Sequence, residues 1–337
     1  MGNKGNNRIK EIKENYEDKR NENIFTNTKT ISNHTRIVNS LILLKDKRIA
    51  SSSQDNTIKI FDSNNNYKCD ITITGHRDYV TSITELENGK IASCSWDKTI
   101  KIWLITKNSY QPLYTITNAH NDRIYKIITL PNNRIATISN DNTIKIWKTL
   151  PPYDNNPFIT LNCVIKKSKT DNSIRYYTIG CSLLYMKNKN ILVSGTRYKE
   201  LIIWSIETYQ SINIVKDVGC YWSHSIYQFD NDRIIVGGRN VFCVVFVDRI
   251  GSYIESSYTD NSLGFVLCFN KIIDDNDIVI CGCQGGKMLQ YDIQSKNILI
   301  IPSSHTSFIN DILIINKNTF LTCSTDNTIK EWKMDNM

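Results

Sequence analysis

Four aspartates stand where a catalytic acid or base could be expected, each with a histidine upstream and a serine or threonine between them. Carboxylates and imidazoles are the usual groups for general acid–base catalysis. The same arrangement, however, returns four times in a phrase that keeps its residue types and its spacing. The aspartates are Asp55, Asp97, Asp141 and Asp326, in phrases at residues 49–61, 91–103, 135–147 and 320–332. This repetition indicates that the conspicuous polar residues are structural.

Other signatures of chemistry are missing from the sequence. It contains no Walker A, G-x-G-x-x-G, H-E-x-x-H or G-x-S-x-G motif. Of its five histidines, only His224 lies outside the repeated pattern, and its ten cysteines follow no zinc or disulfide spacing. We therefore predict a protein that is not an enzyme and that needs no cofactor or metal.

The repeat extends along most of the chain. A histidine precedes the third position of each phrase by 17 residues, and the closing aromatic follows that position by 10. Three weaker copies keep the second spacing, from Ser194 to Trp204, from Val236 to Phe246 and from Cys281 to Tyr291. A period of roughly 40–45 residues is typical of propellers and similar arrays. Seven copies thus tile the chain, with an insertion at about 149–175 that we expect to be an exposed loop.

Each copy is predicted to form a four-stranded blade. Residues 49–53 alternate with a period of two, residues 57–61 are β-branched and apolar, and the Asp55-Asn56 pair between them favours a hairpin turn. The last phrase ends at Trp332, on the third strand of its blade. The alternating segment 25–31 can supply the missing outer strand and so remove exposed sheet edges.

The repeat resembles the WD-repeat β-propeller family through its histidines, the Gly75-His76 pair and the Asp-x-Thr-Ile-Lys-x-Trp endings. The resemblance implies an all-β, seven-bladed β-propeller, closed by an N-terminal strand that completes the last blade. It also implies a hydrogen-bonded tetrad in each complete blade. In this sequence the tetrad positions are His34, Ser51 and Asp55; His76, Ser93, Asp97 and Trp103; His120, Thr137, Asp141 and Trp147; and His305, Thr322, Asp326 and Trp332.

The three weaker copies depart from this pattern. They hold Tyr177, Gly219 and Gly264 at the histidine position, and Tyr198, Asn240 and Gly285 at the aspartate position. A lost network removes about 1 kcal/mol per hydrogen bond. We therefore expect blades 4 to 6 to be the looser half of the ring.

For function, the resemblance implies a set of positions that face the narrow top opening of the propeller. Trp, Tyr and Arg, the residue types enriched at interface hot spots, are frequent there. The predicted partner-binding residues are Tyr79, Trp96, Arg123, Tyr125, Arg197, Trp222, His224, Arg239 and Phe308. Other residues at such positions are Asn39, Gln54, Thr81, Asn140, Phe269 and Asn310. Trp96 is expected on a tight turn, and the three arginines could converge on a phosphate or carboxylate.

We predict a non-enzymatic scaffold or adaptor that binds partner proteins or peptides through this top face. The alternative is a substrate receptor of a ubiquitin ligase that recognises an acidic or phosphorylated degron. Against the alternative, no F-box-like helical region precedes the propeller, and no Trp-Asp-x-Arg follows a third strand. The net charge of +8 is not gathered into a basic block, so no specific nucleic-acid partner is predicted.

The domain organisation follows from the repeats. Residues 1–23 are polar and mixed in charge, and we expect a disordered tail there, followed by one propeller over 24–337. No run of 18 apolar residues or signal peptide is present, and the thiols are expected to be reduced. These features favour a cytoplasmic or nuclear protein that is monomeric on its own.

Overall fold

Alternating apolar residues build seven four-stranded antiparallel sheets, the blades of a β-propeller. The computed structural model describes residues 25–162, 165–167, 174–176, 179–220, 223, 225–272 and 278–334. The predicted tail 1–23 and two predicted partner-binding residues, Trp222 and His224, lie outside these residues.

The first part of the chain contributes the closing strand and three blades. Their strands are β1 (Phe25–Ile31); blade 1, β2 (Val38–Leu43), β3 (Ile49–Ser53), β4 (Ile58–Asp62) and β5 (Lys68–Ile73); blade 2, β6 (Val80–Glu85), β7 (Ile91–Ser95), β8 (Ile100–Ile105) and β9 (Tyr110–Ile116); blade 3, β10 (Ile124–Leu130), β11 (Arg134–Ser139), β12 (Thr143–Lys148) and β13 (Ile159–Asn162).

A two-stranded hairpin, β14 (Ile165–Lys167) and β15 (Ile174–Tyr176), precedes the remaining blades. Their strands are blade 4, β16 (Ile179–Met186), β17 (Ile191–Thr196), β18 (Leu201–Ser205) and β19 (Ser211–Val215); blade 5, β20 (Ser225–Gln228), β21 (Arg233–Gly238), β22 (Val241–Phe246) and β23 (Tyr253–Thr259); blade 6, β24 (Val266–Lys271), β25 (Ile278–Cys283), β26 (Met288–Asp292) and β27 (Ile298–Ile301); blade 7, β28 (Ile309–Asn316), β29 (Thr319–Ser324) and β30 (Ile329–Met334). A 3₁₀ turn, Gln284–Gly286, joins β25 to β26.

The ring is closed by the N-terminal strand, as predicted. Strand β1 pairs antiparallel with β30, from Phe25 opposite Met334 to Ile31 opposite Ile329, and becomes the outer strand of blade 7. Phe25 is 2% exposed and packs edge-on against Phe320. The fold class is therefore confirmed as an all-β, seven-bladed propeller.

The core consists of layers between neighbouring blades. Strands β3 and β7 are buried at every position because each lies between the adjacent blades on both faces. The closing tryptophans are the largest side chains in these layers, and Trp103, for instance, packs among blade 1 and blade 2 residues. The turns that follow β3, β7, β11 and β29 each place one residue in the left-handed region, and three of the four are asparagines, which tolerate it. Among the described residues, no helix has the length and apolar character to span a bilayer.

The segment predicted as one exposed loop, 149–175, is divided into two parts. Strand β13 lies inside it and completes blade 3, and the hairpin β14–β15 follows. Before β13, Tyr153 stacks on Tyr114 of blade 2 with ring centroids 4.6 Å apart. The sequence did not predict this short outer strand, because the proline-rich stretch before it is typical of a loop.

Two registers in the degenerate blades differ from the spacing rule. In blade 5, Val236 pairs with Cys243 across a two-residue turn, so Val245 takes the tryptophan position and Phe246 instead stacks on Tyr253. In blade 6, Phe269 was expected on the top face, but it is buried against Phe242 of blade 5. In blade 5, a shorter turn between β21 and β22 shifts the register by one residue. In blade 6, a shorter loop before β24 shifts it by two residues.

Candidate functional site

The histidines, hydroxyls and aspartates form buried networks within the blades. In blade 2, His76 Nδ1 lies 2.8 Å from Asp97 Oδ2 and His76 Nε2 lies 2.7 Å from Ser93 Oγ. The indole of Trp103 donates to the same Ser93 oxygen at 2.8 Å. Because Ser93 is completely buried, no substrate can reach its hydroxyl, and the trio differs in this respect from a hydrolytic triad.

The other complete blades repeat this geometry. Blade 3 joins His120 to Asp141 and Thr137 at 2.9 and 2.8 Å, and blade 7 joins His305 to Asp326 and Thr322 at 2.7 Å each, with Trp147 and Trp332 donating at 2.9 and 2.8 Å. Blade 1 joins His34 to Asp55 and Ser51 at 2.7 and 2.6 Å, but Phe61 supplies no donor there. In blade 4, the described residues make one bond of this kind, from Trp204 to Ser194 at 2.9 Å.

The pKa values in these networks favour an ionised aspartate beside a neutral histidine. Burial opposes ionisation of Asp97, but the hydrogen bonds from His76, Thr99 and the Arg77 backbone outweigh it and hold the pKa of this carboxyl well below its usual range. Burial lowers the pKa of His76 more than Asp97 raises it. The imidazole is thus a fixed bridge between the loop before a blade and the turn inside it.

A recurring backbone hydrogen bond brings that turn to the start of the inner strand. The amide of Trp96 donates to the carbonyl of Tyr79 at 3.0 Å, and the amide of Asn140 donates to the carbonyl of Arg123 at 2.9 Å. Equivalent bonds in other blades run from Gln54 to Ile37, from Gln284 to Phe265 and from Thr325 to Phe308. They gather the inner-strand starts and the turns at one end of the ring, which we call the top face.

On the top face, Trp96 lies in a stack between an aromatic ring and a cation. The centroids of the Tyr79 and Trp96 rings are 4.8 Å apart, and the guanidinium carbon of Arg123 lies 4.1 Å from the Trp96 ring centroid. This distance is typical of a cation–π contact. The indole Nε1 of Trp96 is buried without a hydrogen-bond partner among the described residues. We call Tyr79, Trp96 and Arg123 the aromatic shelf.

A cavity of about 240 Å³ adjoins the shelf at the mouth of the central channel. It is lined by Asn39, Gln54, Thr81, Trp96, Tyr125, Leu267 and Asn310. Three of these side chains also tie neighbouring blades together, since Asn39, Thr81 and Asn310 each donate at 2.8 Å to an inner-strand carbonyl of the next blade. Of the lining residues, Leu267 was missed from the sequence because of the register shift in blade 6.

The other predicted top-face residues are spread over several blades, and two of them share one hydrogen-bond acceptor. Tyr125 and Arg197 both donate to the Asn140 side-chain oxygen, at 3.2 and 2.6 Å, and the amide of Asn140 donates to Asp122. Arg239 lies 5.9 Å from the ring centroid of Phe265. Phe308 is half-buried at the start of blade 7. The role of Asn140 in joining blades 3 and 4 could not be read from the sequence, because it depends on a contact between separate blades.

Metal-binding side chains and thiols are the remaining candidates for chemistry. No cluster of three or more His, Cys, Asp or Glu side chains suited to a metal occurs in the described part of the chain. Burial raises the pKa of the Cys94 and Cys283 thiols to about 12.

Fold and networks together define a protein of the WD40-repeat class. The family model for the WD domain, G-beta repeat, matches residues 25–62, 67–103, 110–148 and 296–333. The chain is therefore a WD40-repeat protein, and its ring is a seven-bladed β-propeller. The matches cover the four blades in which histidine and aspartate are paired. Propellers of this family are typically protein-interaction scaffolds.

Two known proteins show this similarity. The chain is 25% identical over 164 residues to a guanine nucleotide-binding protein subunit beta from Zea mays, a match that covers 45% of this chain and 43% of that protein. The match thus spans less than half the length of the relative. The crystal structure of the WD40 β-propeller domain of Doa1 superposes with a TM-score of 0.74, covering 92% of this chain and 97% of that one at 14% identity. At that identity the likeness concerns the fold alone.

Proposed function

We propose that the protein is a non-enzymatic scaffold that binds a partner protein or peptide through its top face. The observation that carries this proposal is the aromatic shelf beside the channel mouth. A large indole on a surface turn gains little from the fold, whereas Trp, Tyr and Arg are the side chains that anchor interfaces. Trp96 is only half-buried, so the exposed part of its ring can pack against a partner.

The rigid surroundings of the shelf support the same proposal. Trp96 precedes the tetrad aspartate Asp97, whose backbone N–H is held by Ser95 Oγ at 3.0 Å. A side chain fixed in this way loses little conformational freedom on binding. The Zea mays relative is by its name one subunit of a guanine nucleotide-binding protein, which gives a precedent for a related chain in an assembly.

The acidic-degron alternative has less support. That alternative requires three arginines whose guanidinium groups converge on one anion. Arg123 stacks on Trp96, Arg197 hydrogen-bonds Asn140, and Arg239 lies near Phe265 on a third blade. These separate environments favour a general interaction scaffold over a receptor for a single phosphorylated degron.

The test is affinity capture from native extract with two matched double variants. Trp96→Ala with Arg123→Ala removes the shelf. Phe158→Ala with Arg134→Ala removes a similar stack, at 4.4 Å, formed beside the turns at the opposite end of the ring. We expect both variants to stay folded and only the shelf variant to lose specific partners. Partners lost only from the Phe158 variant would place binding at the opposite end and contradict the proposal.

A further inference from the structure

A second and larger cavity lies between blades 4 and 5. Its volume is about 440 Å³, against about 240 Å³ for the cavity at the channel mouth, and the two share no lining residue. We call it the blade 4–5 cleft. Its lining consists of Lys199, Asp217, Val218, Gly219, Arg239, Asn240, Val241, Ile254, Ser257, Thr259 and Asn261.

The cleft exists because blade 5 has lost its tetrad. In blade 2 the corresponding space holds the His76 ring bonded to Asp97. In blade 5 the histidine position is Gly219, at φ +73°, and an added Cβ there would meet only Val241, at 3.4 Å. The hydroxyl position is Val236, which is completely buried. The cleft is instead lined by Gly219 at the histidine position and by Asn240 at the aspartate position.

The lining is rich in hydrogen-bond donors. Six of its side chains can donate, namely Lys199, Arg239, Asn240, Ser257, Thr259 and Asn261. Asp217 is the one lining side chain that, when ionised, can only accept. The lining thus includes two cations and one carboxylate, and its apolar part is Val218, Val241 and Ile254. Such a site suits a compact ligand that carries several acceptor oxygens and negative charge.

We propose that the blade 4–5 cleft binds a phosphoryl group. A phosphoryl group presents three strong acceptor oxygens and a charge of about −1.5 to −2 at neutral pH. Lys199 and Arg239 come from the turns of two neighbouring blades, and Ser257 and Thr259 come from strand β23. The Arg239 guanidinium can hold two oxygens at once, while the hydroxyls and amides satisfy the remaining lone pairs. This site is separate from the aromatic shelf and does not depend on it.

Substitution of Asp217 should change the affinity for an anion in the opposite direction to substitution of the two cations. Its carboxylate repels an anion, so Asp217→Asn should strengthen binding, whereas Arg239→Gln and Lys199→Asn should weaken it. The backbones of Asp217 and Lys199 are left-handed, at φ 57° and 60°. Asparagine tolerates this conformation, so neither substitution by asparagine adds backbone strain.

The experiment is a calorimetric titration of the full chain at low salt with inorganic phosphate and, separately, with O-phosphoserine. We expect Arg239→Gln and Lys199→Asn each to weaken binding by about tenfold or more, as loss of a charge-assisted hydrogen bond does. Asp217→Asn should tighten binding by a few-fold. Arg36→Gln, which removes an exposed charge that lines neither cavity, is the matched control and should change nothing.

The outcomes separate the proposal from simple surface attraction. Tighter binding of O-phosphoserine than of phosphate assigns the site to a phosphoryl group on a protein segment, and equal binding assigns it to free phosphate. An equal loss in Arg36→Gln and Arg239→Gln overturns the proposal, as does weaker binding by Asp217→Asn. Lack of binding of both anions by the wild-type chain also overturns it. The shelf variant should bind both anions like the wild type, so failure of the top-face proposal and failure of this one can be told apart.

Discussion

Blades 2 and 5 occupy the same ring, but they fill the same internal position in different ways. In blade 2 the buried Ser93 hydroxyl is shared by Trp103 and His76. In blade 5 its counterpart, Val236, packs in an apolar cluster with Val245 and two cysteines. Polar networks are directional and fix one geometry, whereas apolar packing follows volume. The comparison indicates that the tetrad blades hold the top-face turns firmly, and that the degenerate blades tolerate shorter turns and an open cleft.

The largest effect is expected from removing the strand that closes the ring. Deletion of residues 1–33 removes β1 and exposes the edge of β30, so the chain should fail to unfold cooperatively or should aggregate. Deletion of residues 1–23 keeps β1 and should leave the melting temperature nearly unchanged. Thermal unfolding followed by circular dichroism checks both. Equal melting of the two truncations would contradict closure by β1.

Truncation of the side chain at the tryptophan position should cost more stability in blade 2 than in blade 5. Trp103→Ala should lower the free energy of unfolding by about 3–5 kcal/mol, as large core truncations do. Val245→Ala should cost about 2 kcal/mol, because it loses less apolar surface and no hydrogen bond. Urea unfolding measures both, and equal losses would show that the tetrad adds nothing to the stability of blade 2.

The seam between blades 7 and 1 carries a polar contact that should give a smaller effect. Glu331 is 7% exposed and stands where blade 3 has Ile146. Tyr67 donates to it at 2.5 Å and Thr28 at 2.6 Å. Tyr67→Phe removes one donor from a buried carboxylate and should cost about 1–3 kcal/mol. Tyr253→Phe, at an exposed tyrosine, is the control and should cost close to nothing. A Tyr67→Phe loss no larger than the control would show that this contact does not help to close the ring.

Acid should weaken the tetrad blades in particular. The pKa values of Asp55, Asp97 and Asp141 lie below 3.8, and those of His76, His120 and His305 lie below 6.5. Each of these folded-state values is depressed, so the unfolded chain binds more protons. Their stabilising contribution is therefore complete above pH 6.5 and is lost progressively as the pH falls. Urea unfolding between pH 7 and pH 4 should show this loss, and Asp97→Asn should make it steeper, because His76 then loses the carboxylate that raises its pKa. If Asp97→Asn lost stability no more steeply than the wild type, titration of the tetrad groups would not be the cause of the loss.

The sequence predicted the complete blades well because local and tertiary signals agree in them. The repeated phrase locates strand, turn and closing aromatic in blades 1, 2, 3 and 7. In blade 5 the repeat spacing points to Phe246 as the closing aromatic. Val245 takes that position instead, because a two-residue turn shifts the register. The blade 4–5 cleft could not be predicted either, since it arises from what Gly219 lacks and from two blades brought together in space.

The most direct test of the difference between the two halves is native-state hydrogen exchange of the whole chain at neutral pH, read out blade by blade. Exchange of the described strands reports local opening free energies. We expect the slowest exchange in blades 1, 2, 3 and 7, and measurably faster exchange in the turns of blades 4, 5 and 6. Exchange in blade 5 as slow as in blade 2 would show that apolar packing holds a blade as firmly as a tetrad does, and it would contradict this account.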